Sequence, residues 1–388
     1  MVDSTLRAID PLTHRYPAMK IASFEFNLRE LSGSFGNLGT FLPFTVGYFA
    51  VCGLNPAGLL VMIGLVNIIT GLFYRLPISI EPMKVIAAAA IAQQWSPSMV
   101  YAAGFSMGCI WLLFALSDIA SRISNLTPAA VVRGVQVTLG ILLVIQAGKM
   151  LATSWLLGTF ALLAGLGLRA SRRLPAAVVL VLLGIVVMAT KNQLGIIQSP
   201  SFTLPPLTIF SPKEIWQTLL LAGFAQIPLT ITNATIATSC LISAYWPGRT
   251  VSTRRLSLSQ GLMNLFPPFF GGMPMCHGAG GLAGQYYFGA RTGGTKIIEG
   301  TLQLILGLFF AASVSGLFSA FPKPVIGVML LMVGFELIKF ARDVQGKNNI
   351  LSLTMTVVLS LATNMAFGFV GGILTSLVLS HQRSSKKV

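Results

Sequence analysis

Helix-breaking residues interrupt two segments of this chain that are otherwise apolar, and this feature constrains the fold most. Residues Met273 to Arg291 read MPMCHGAGGLAGQYYFGAR, with several glycines beside a histidine. A second interruption, LPISIEPMKVIAAAA, runs from Leu76 to Ala90. Irregular backbone at membrane depth is tolerated only where it is buried in protein or lines a cavity, because lipid cannot satisfy exposed N–H and C=O groups. Paired interruptions of this kind in the two halves of a chain are typical of a ligand site.

The composition assigns the chain to the integral membrane proteins. Of its 388 residues 54% are hydrophobic and only 9% are charged, too few for an ordinary water-facing surface. The net charge of +16 does not indicate a nucleic-acid partner, because the basic residues are scattered between apolar runs. The four cysteines lack metal-ligand spacing, and no cofactor is expected. The chain also lacks HExxH, GxSxG and paired catalytic carboxylates, so it is not expected to be an enzyme.

The hydrophobic pattern predicts an all-α polytopic protein of about fourteen segments, several too short to cross a bilayer as one straight helix. The predicted segments are 35–52, 56–76, 77–94, 98–120, 126–148, 151–169, 175–190, 213–245, 251–270, 273–290, 296–320, 324–341, 349–366 and 367–381. With both termini on one side, twenty of the 26 Lys and Arg residues lie there, Lys296 among them, against four on the other side. By the positive-inside rule both termini are therefore expected in the cytoplasm, with the protein in the cell membrane.

The segments divide into two halves of seven. Because seven is odd, the second half must be inverted relative to the first, as in inverted-repeat transporters. Leu42 to Thr45 (LPFT) in the first segment matches Ile227 to Thr230 (IPLT) in the eighth. The predicted units are a cytoplasmic N-terminal segment at 1–34, with a short amphipathic helix near Phe24 to Leu31, a first repeat at 35–190, an outer connecting loop at 191–212, a second repeat at 213–381 and a cytoplasmic tail at 382–388.

The two interrupted segments predict an anion site between half-helices. A half-helix that begins at mid-membrane presents unpaired N–H groups and a partial positive charge to an anion. In segment three it is expected to begin near Pro82, presenting the amides of Met83 and Lys84, because proline is favoured at the first helical position. In segment ten it is expected to begin near Gly278. The substrate-site candidates are Asn37, Thr40, Pro82, Met83, Lys84, Gln226, Thr230, Asn233, His277, Gly278, Ala279, Gly280 and Gly281. Glu81 and His277 are the candidates for proton coupling, because ionisable groups are expensive inside a membrane.

Four blocks of this chain resemble the signature blocks of the molybdate transporter family, a branch of the sulfate permease superfamily. They are FGNLGTFLPF (Phe35 to Phe44), PISIEPMKVIAAAA (Pro77 to Ala90), QIPLTITNA (Gln226 to Ala234) and PMCHGAGGLAGQYYFGARTG (Pro274 to Gly293). The resemblance implies a seven-plus-seven inverted repeat with core and gate domains, and a substrate held between the half-helices of segments three and ten. The chain ends soon after its last segment, so no STAS domain is expected.

Three positions depart from the family pattern. Asn37 stands where the family usually has Asp, Glu81 where it usually has Gln, and Ala225 where it usually has Pro. Compared with the family pattern, this chain has a carboxylate in segment three and lacks the one in segment one. The difference affects the expected coupling mechanism more than the expected fold.

The function predicted from the sequence is proton-coupled import of molybdate by alternating access. Sulfate and tungstate, which share its charge and tetrahedral shape, stay open as substrates. A passive anion channel stays open as a mechanism. The lipid bilayer is the expected environment, and the oligomeric state is left open, with a homodimer among the assemblies considered.

Overall fold

The computed structural model describes residues 19–21, 23–117, 128–167, 176–193 and 198–385. Four predicted units therefore lie partly outside the described residues. They are the N-terminal segment 1–34, the first repeat 35–190, the connecting loop 191–212 and the tail 382–388.

The described residues form mostly helices, which follow the predicted apolar segments along the chain. In chain order the helices are α1 (Leu28–Ser34), α2 (Leu38–Ala50), α3 (Pro56–Tyr74), α4 (Lys84–Gln93), α5 (Pro97–Leu116), α6 (Ala129–Leu151), α7 (Trp155–Gly167), α8 (Ala176–Thr190), α9 (Pro212–Tyr245), α10 (Thr253–Leu265), α11 (Ala279–Tyr287), α12 (Gly294–Phe309), α13 (Ala311–Ser319), α14 (Lys323–Lys339), α15 (Lys347–Ala362) and α16 (Met365–Ser385). Short 3₁₀ turns lie at Pro267–Phe270 and Phe340–Asp343.

Local sequence explains where several of these helices begin and end. At the start of α3 the Asn55 side chain accepts the Gly58 N–H at 3.0 Å, and Pro56 occupies the first helical position. The helix ends at Arg75, whose φ of 55° is left-handed. Ser96 and Pro97 begin α5 in the same way.

The long helix α9 departs from regular α-helical hydrogen bonding at two places. Its π-helical stretches are Leu219–Gly223 and Thr230–Ala237, on either side of Pro228. Proline removes a backbone donor from a helix interior, and π-helical turns are frequent at functional sites. One face of α9 contacts the interrupted segments described below.

Among the described residues, five helices are long and apolar enough to cross a membrane. They are Pro56–Tyr74, Pro97–Leu116, Ala129–Leu151, Pro212–Tyr245 and Lys323–Asp343. The pair α12 and α13, bent by 85°, makes a sixth if it counts as one span. Shorter apolar helices such as α2, α4 and α7 pack among them.

Helices from the two halves of the chain pack against each other at glycines. The largest contacts join α3 with α12, α5 with α10 and α6 with α14. A Cβ on Gly64 would meet the Gly300 carbonyl, and one on Gly300 would meet the Gly64 carbonyl. Gly140 and Gly334 have the same reciprocal relation between α6 and α14. Small residues of this kind let membrane helices approach closely.

The described residues are mostly helical, as predicted, and they also contain two short antiparallel strand pairs. Strand β1 (Met19–Ile21) pairs with β2 (Phe24–Phe26), and β3 (Ile80–Pro82) pairs with β4 (Met275–His277). The second pair lies in the two interrupted segments, where pairing satisfies the N–H and C=O groups that lipid cannot.

The amphipathic helix predicted at Phe24 to Leu31 also differs from the structure. The segment begins as strand β2, and α1 follows only at Leu28. Glu30, expected on a polar face, is 1% exposed. Its Oε1 accepts the N–H groups of Arg291 (3.1 Å) and Thr292 (2.9 Å), which precede α12. The carboxylate therefore attaches α1 to the start of α12.

Candidate functional site

The two interrupted segments cross at the strand pair β3 and β4. Ile80 lies opposite His277, Glu81 opposite Cys276 and Pro82 opposite Met275. All six strand residues are buried. A short helix follows each strand, α4 from Lys84 and α11 from Ala279. The crossing thus brings the beginnings of two helices together in the protein interior.

The beginning of α11 agrees with its prediction, whereas that of α4 needs correction. Gly278 caps α11, as expected. Pro82 belongs to β3, and the first residue of α4 is Lys84. The Met83 N–H donates to the Pro274 carbonyl at 3.0 Å, so it is not presented to a ligand. Strand pairing takes up the residues that were expected to open the helix.

The carboxylate of Glu81 lies against the N-terminus of α11. A Cβ on Gly278 or on Gly281 would overlap this carboxylate, which is itself fully buried. Glu81 Oε2 lies 3.0 Å from Lys84 Nζ, and Oε1 accepts the Ser79 hydroxyl at 3.4 Å. The partial positive charge of a helix N-terminus favours an anion at this position. Only glycine leaves room for the carboxylate here.

A second buried ion pair lies beside the first. Lys296 Nζ is 2.5 Å from Glu299 Oε2 on α12, and Lys296 is fully buried. Gln285 of α11 donates to the same oxygen at 2.9 Å. Asn37 donates to Glu299 Oε1 at 3.3 Å, and its Nδ2 also lies 3.4 Å from Ser79 Oγ. Asn37 and Ser79 therefore link the two carboxylates in one hydrogen-bonded chain.

The beginning of α4 is occupied by a side chain from α9. Gln226 Oε1 accepts the N–H of Val85 at 2.8 Å and that of Ile86 at 3.4 Å. Gln226 Nε2 in turn donates to Thr230 Oγ1 at 2.6 Å. Gln226, which Thr230 holds in place, thus supplies the acceptor for the first N–H groups of α4. The Glu81 carboxylate thus lies against the beginning of α11, whereas the first N–H groups of α4 bond to Gln226.

His277 is held away from open space. It is fully buried, and its Nε2 lies 2.7 Å from the hydroxyl of Ser259 on α10. The same hydroxyl accepts from Tyr74 at 3.0 Å. His277 lies within electrostatic reach of Lys296.

Open space adjoins the site at two of the predicted residues. Gly280 is exposed, and a Cβ there would meet no atom within 4 Å. The side chain of Lys84 is 20% exposed. Ala279, between Gly278 and Gly280, is buried. A ligand would therefore reach the ion pair past Gly280 and Lys84.

Two predicted residues form no side-chain hydrogen bond in the described part of the chain. Thr40 and Asn233 are half-buried, and neither side chain forms a hydrogen bond among the described residues.

Four residues of the site were not predicted from the sequence: Ser79, Lys296, Glu299 and Gln285. Lys296, which was counted with the residues on the cytoplasmic side, is fully buried at the start of α12. A signal was present, because Glu299 is a lone carboxylate in the apolar run IIEGTLQLILGLF with Lys296 three residues before it.

The assembled site is balanced in charge. Two carboxylates, Glu81 and Glu299, face two ammonium groups, Lys84 and Lys296, and Lys296 lies within electrostatic reach of both carboxylates. Buried charges persist only when they are paired and hydrogen-bonded, as these are.

Comparison with known proteins identifies relatives along nearly the whole chain. The family described as "Molybdate transporter of MFS superfamily" matches residues 29–143 and 218–337. Molybdate transporter 1 of Arabidopsis thaliana is 32% identical over 92% of this chain and 89% of its own. Molybdate transporter 2 of the same plant is 33% identical over 90% of this chain and 87% of its own.

Solved structures share the fold at low sequence identity. The transmembrane domain of the cyanobacterial bicarbonate transporter BicA aligns with a TM-score of 0.65 and 16% identity, covering 93% of this chain and 99% of that one. SLC26A9 aligns with a TM-score of 0.70 and 12% identity over 91% of this chain, which spans 65% of that protein's length. The chain therefore shares the overall fold of these two structures. Each matched region contains one of the two crossing strands, β3 or β4. This multi-pass membrane protein with membrane-spanning helices is a transporter and belongs to the molybdate transporter family.

Proposed function

We propose that this protein imports molybdate across the cell membrane by alternating access, coupled to protons through Glu81. The observation that carries the proposal is the carboxylate of Glu81, an anion already seated at the N-terminus of α11 and paired with Lys84. A position that stabilises one oxyanion favours another of similar size. The names of the relatives identify molybdate as the first substrate to test.

In this proposal the chain is a seven-plus-seven inverted repeat, with α4 and α11 as its half-helices. The helix packing supports it. Helix α3, the second segment of the first half, packs on α12, the fourth segment of the second half. Helix α5, the fourth segment of the first half, packs on α10, the second segment of the second half. A twofold axis that relates the two inverted repeats would exchange these two helix pairs and place β3 beside β4. The repeats would span 35–190 and 213–381, joined by an outer loop, with both termini in the cytoplasm.

Glu81 supplies the coupling step. A dianion that enters against an inside-negative potential costs about 2.3 kcal/mol per charge per 100 mV, or ~4.6 kcal/mol in all. Protonation of Glu81 removes its repulsion of the anion and releases Lys84 to pair with it. His277 serves as the alternative titrating group, because an unperturbed histidine titrates near neutral pH. The pairing of Glu81 with Lys84, whose side chain is partly exposed, favours Glu81 over His277.

Uptake by purified protein in proteoliposomes tests the proposal. We expect labelled molybdate to accumulate faster under an inward proton gradient, with tungstate competing strongly and sulfate less. Stronger competition by sulfate than by tungstate would identify a sulfate carrier. Flux that only follows the molybdate gradient and never accumulates it would identify a passive channel.

A further inference from the structure

We infer that Glu299 carries a second proton, so that each molybdate dianion enters with two protons and no net charge. This inference rests on the proposed function. It arises from the Lys296 and Glu299 pair, which no role in that function explains.

The net charge of the site's own side chains limits which ligands it can hold. Glu81, Lys84, Lys296 and Glu299 together sum to zero, and all four are buried or nearly so. A dianion entering unchanged would leave two uncompensated negative charges in the interior, which is prohibitively unfavourable. One proton on Glu81 removes only half of that excess. The second proton needs a second carboxylate in the same network.

Glu299 has the contacts that this role requires. Its Oε1 and Oε2 accept from Asn37 and Gln285, and Ser79 and Asn37 connect it with the Glu81 carboxylate. Its counter-ion, Lys296, is fully buried beside it. Two protonated carboxyls would leave Lys84 and Lys296 as the two positive charges that a dianion needs.

Proton uptake and anion binding are then coupled by necessity. Protonation of both carboxylates leaves two buried ammonium groups without partners, which strongly favours an incoming anion. By reciprocity, a bound dianion favours protonation of both carboxylates to the same extent. In each transport cycle one dianion and two protons bind from outside, and the same dianion and two protons are released inside.

Other charged groups around α12 are engaged elsewhere. Glu30 on α1 accepts from the residues before α12, and Glu25 on β2 contacts Asn27 through its side chain. Arg75 follows α3 beside Gly293, and the Arg291 guanidinium bonds the carbonyls of Tyr286 and Ala290. Glu81 and Glu299 are therefore the carboxylates in direct contact with the lysine and asparagine network.

The test measures the equilibrium accumulation of molybdate in proteoliposomes at equal pH inside and outside, with and without an imposed inside-negative potential. Equilibrium accumulation depends on the charge moved per cycle and not on affinity or rate, so a merely structural role of Glu299 leaves it unchanged. We expect the wild-type ratio to be insensitive to potential. In Glu299→Gln one net negative charge enters, and the ratio falls about 50-fold at roughly 100 mV, equivalent to ~2.3 kcal/mol.

Glu30→Gln is the matched control, a buried carboxyl beside α12 and outside the network, and its ratio should stay insensitive to potential. If Glu299→Gln fails to insert, Lys296→Met with Glu299→Gln removes both members of the pair and predicts the same 50-fold fall. A potential-dependent ratio in the wild type, or an insensitive ratio in a folded Glu299 variant, overturns the inference and leaves molybdate import standing. Absence of molybdate uptake by the wild type overturns the proposed function itself, and this inference with it.

Discussion

Asn37 donates its side-chain amide to Glu299 Oε1 across 3.3 Å, although 262 positions separate the two residues in the chain. The same nitrogen lies 3.4 Å from Ser79 Oγ, so a neutral donor stands between two carboxylates. The family usually has Asp at this position, and an aspartate here would be a third carboxylate in contact with Glu299. The neutral asparagine avoids this repulsion in a site that already contains the carboxylates of Glu81 and Glu299.

Asn37→Asp should therefore destabilise the protein. It replaces a donor with a like charge beside Glu299, and we expect a loss of about 1–3 kcal/mol at neutral pH. Thermal unfolding in detergent measures it, and Glu299→Gln in the same background should recover most of the loss. A variant as stable as the wild type would show that Asn37 and Glu299 do not interact.

Substitution by alanine should change the melting temperature at Gly281 but not at Gly280. A Cβ on Gly281 would overlap Glu81 Oε1 and Ser79 Oγ, whereas one on Gly280 would meet no atom within 4 Å. We expect Gly281→Ala to lower the melting temperature and Gly280→Ala to leave it unchanged.

Gly280→Val then tests the site without disturbing the fold. Its larger side chain extends into the open face of α11, and we expect it to abolish molybdate binding while the protein still folds. Calorimetric titration measures the affinity. Wild-type affinity in folded Gly280→Val would remove the beginning of α11 from the substrate site.

Glu30 should make stability depend on pH. Burial raises the pKa of its carboxyl above the ordinary value, although the hydrogen bonds from Thr295, Arg291 and Thr292 oppose this shift. A raised pKa in the folded state means that the protonated form is favoured by folding. The stability contributed by Glu30 is therefore present below pH ~4.5 and is lost as the pH rises through the folded-state pKa. Glu30→Gln removes this titration, so its stability relative to the wild type should increase between about pH 4 and pH 7. A difference that is constant with pH contradicts the assignment.

Gln226 should stabilise the start of α4. Gln226→Met keeps the side-chain volume but leaves the buried N–H of Val85 without an acceptor, at about 1–3 kcal/mol. Thr232→Val on the same helix is the control, because its hydroxyl bonds only to carbonyls of its own helix, and we expect less than about 0.5 kcal/mol there. Equal melting temperatures for the two variants would contradict the role of Gln226.

Local sequence predicted the features of this fold that depend on neighbours along the chain. The helices α3 and α5 follow from apolar runs that begin with a capping side chain and a proline, and the start of α11 follows from Gly278. Gly278, Gly280 and Gly281 were expected near an anionic ligand, and the group that lies against Gly278 and Gly281 is the carboxylate of Glu81.

The remaining features depend on contacts between distant residues. The pairing of β3 with β4 joins residues almost two hundred positions apart, and it moved the start of α4 from Pro82 to Lys84. Burial of Lys296 results from the packing of α12 against α3, which no local pattern encodes. Gln226 likewise reaches Val85 only because α9 crosses the start of α4.

The response of Glu81→Gln to a proton gradient tests the central claim most directly. Initial uptake of labelled molybdate is compared in proteoliposomes with and without an inward proton gradient, for the wild type, for Glu81→Gln and for Glu336→Gln, whose ion pair with Lys339 is on the surface. We predict that the wild type and Glu336→Gln are accelerated by the gradient, whereas Glu81→Gln still binds molybdate but loses most of the acceleration. Unchanged acceleration in Glu81→Gln would contradict the account and transfer the coupling role to His277 or to another ion.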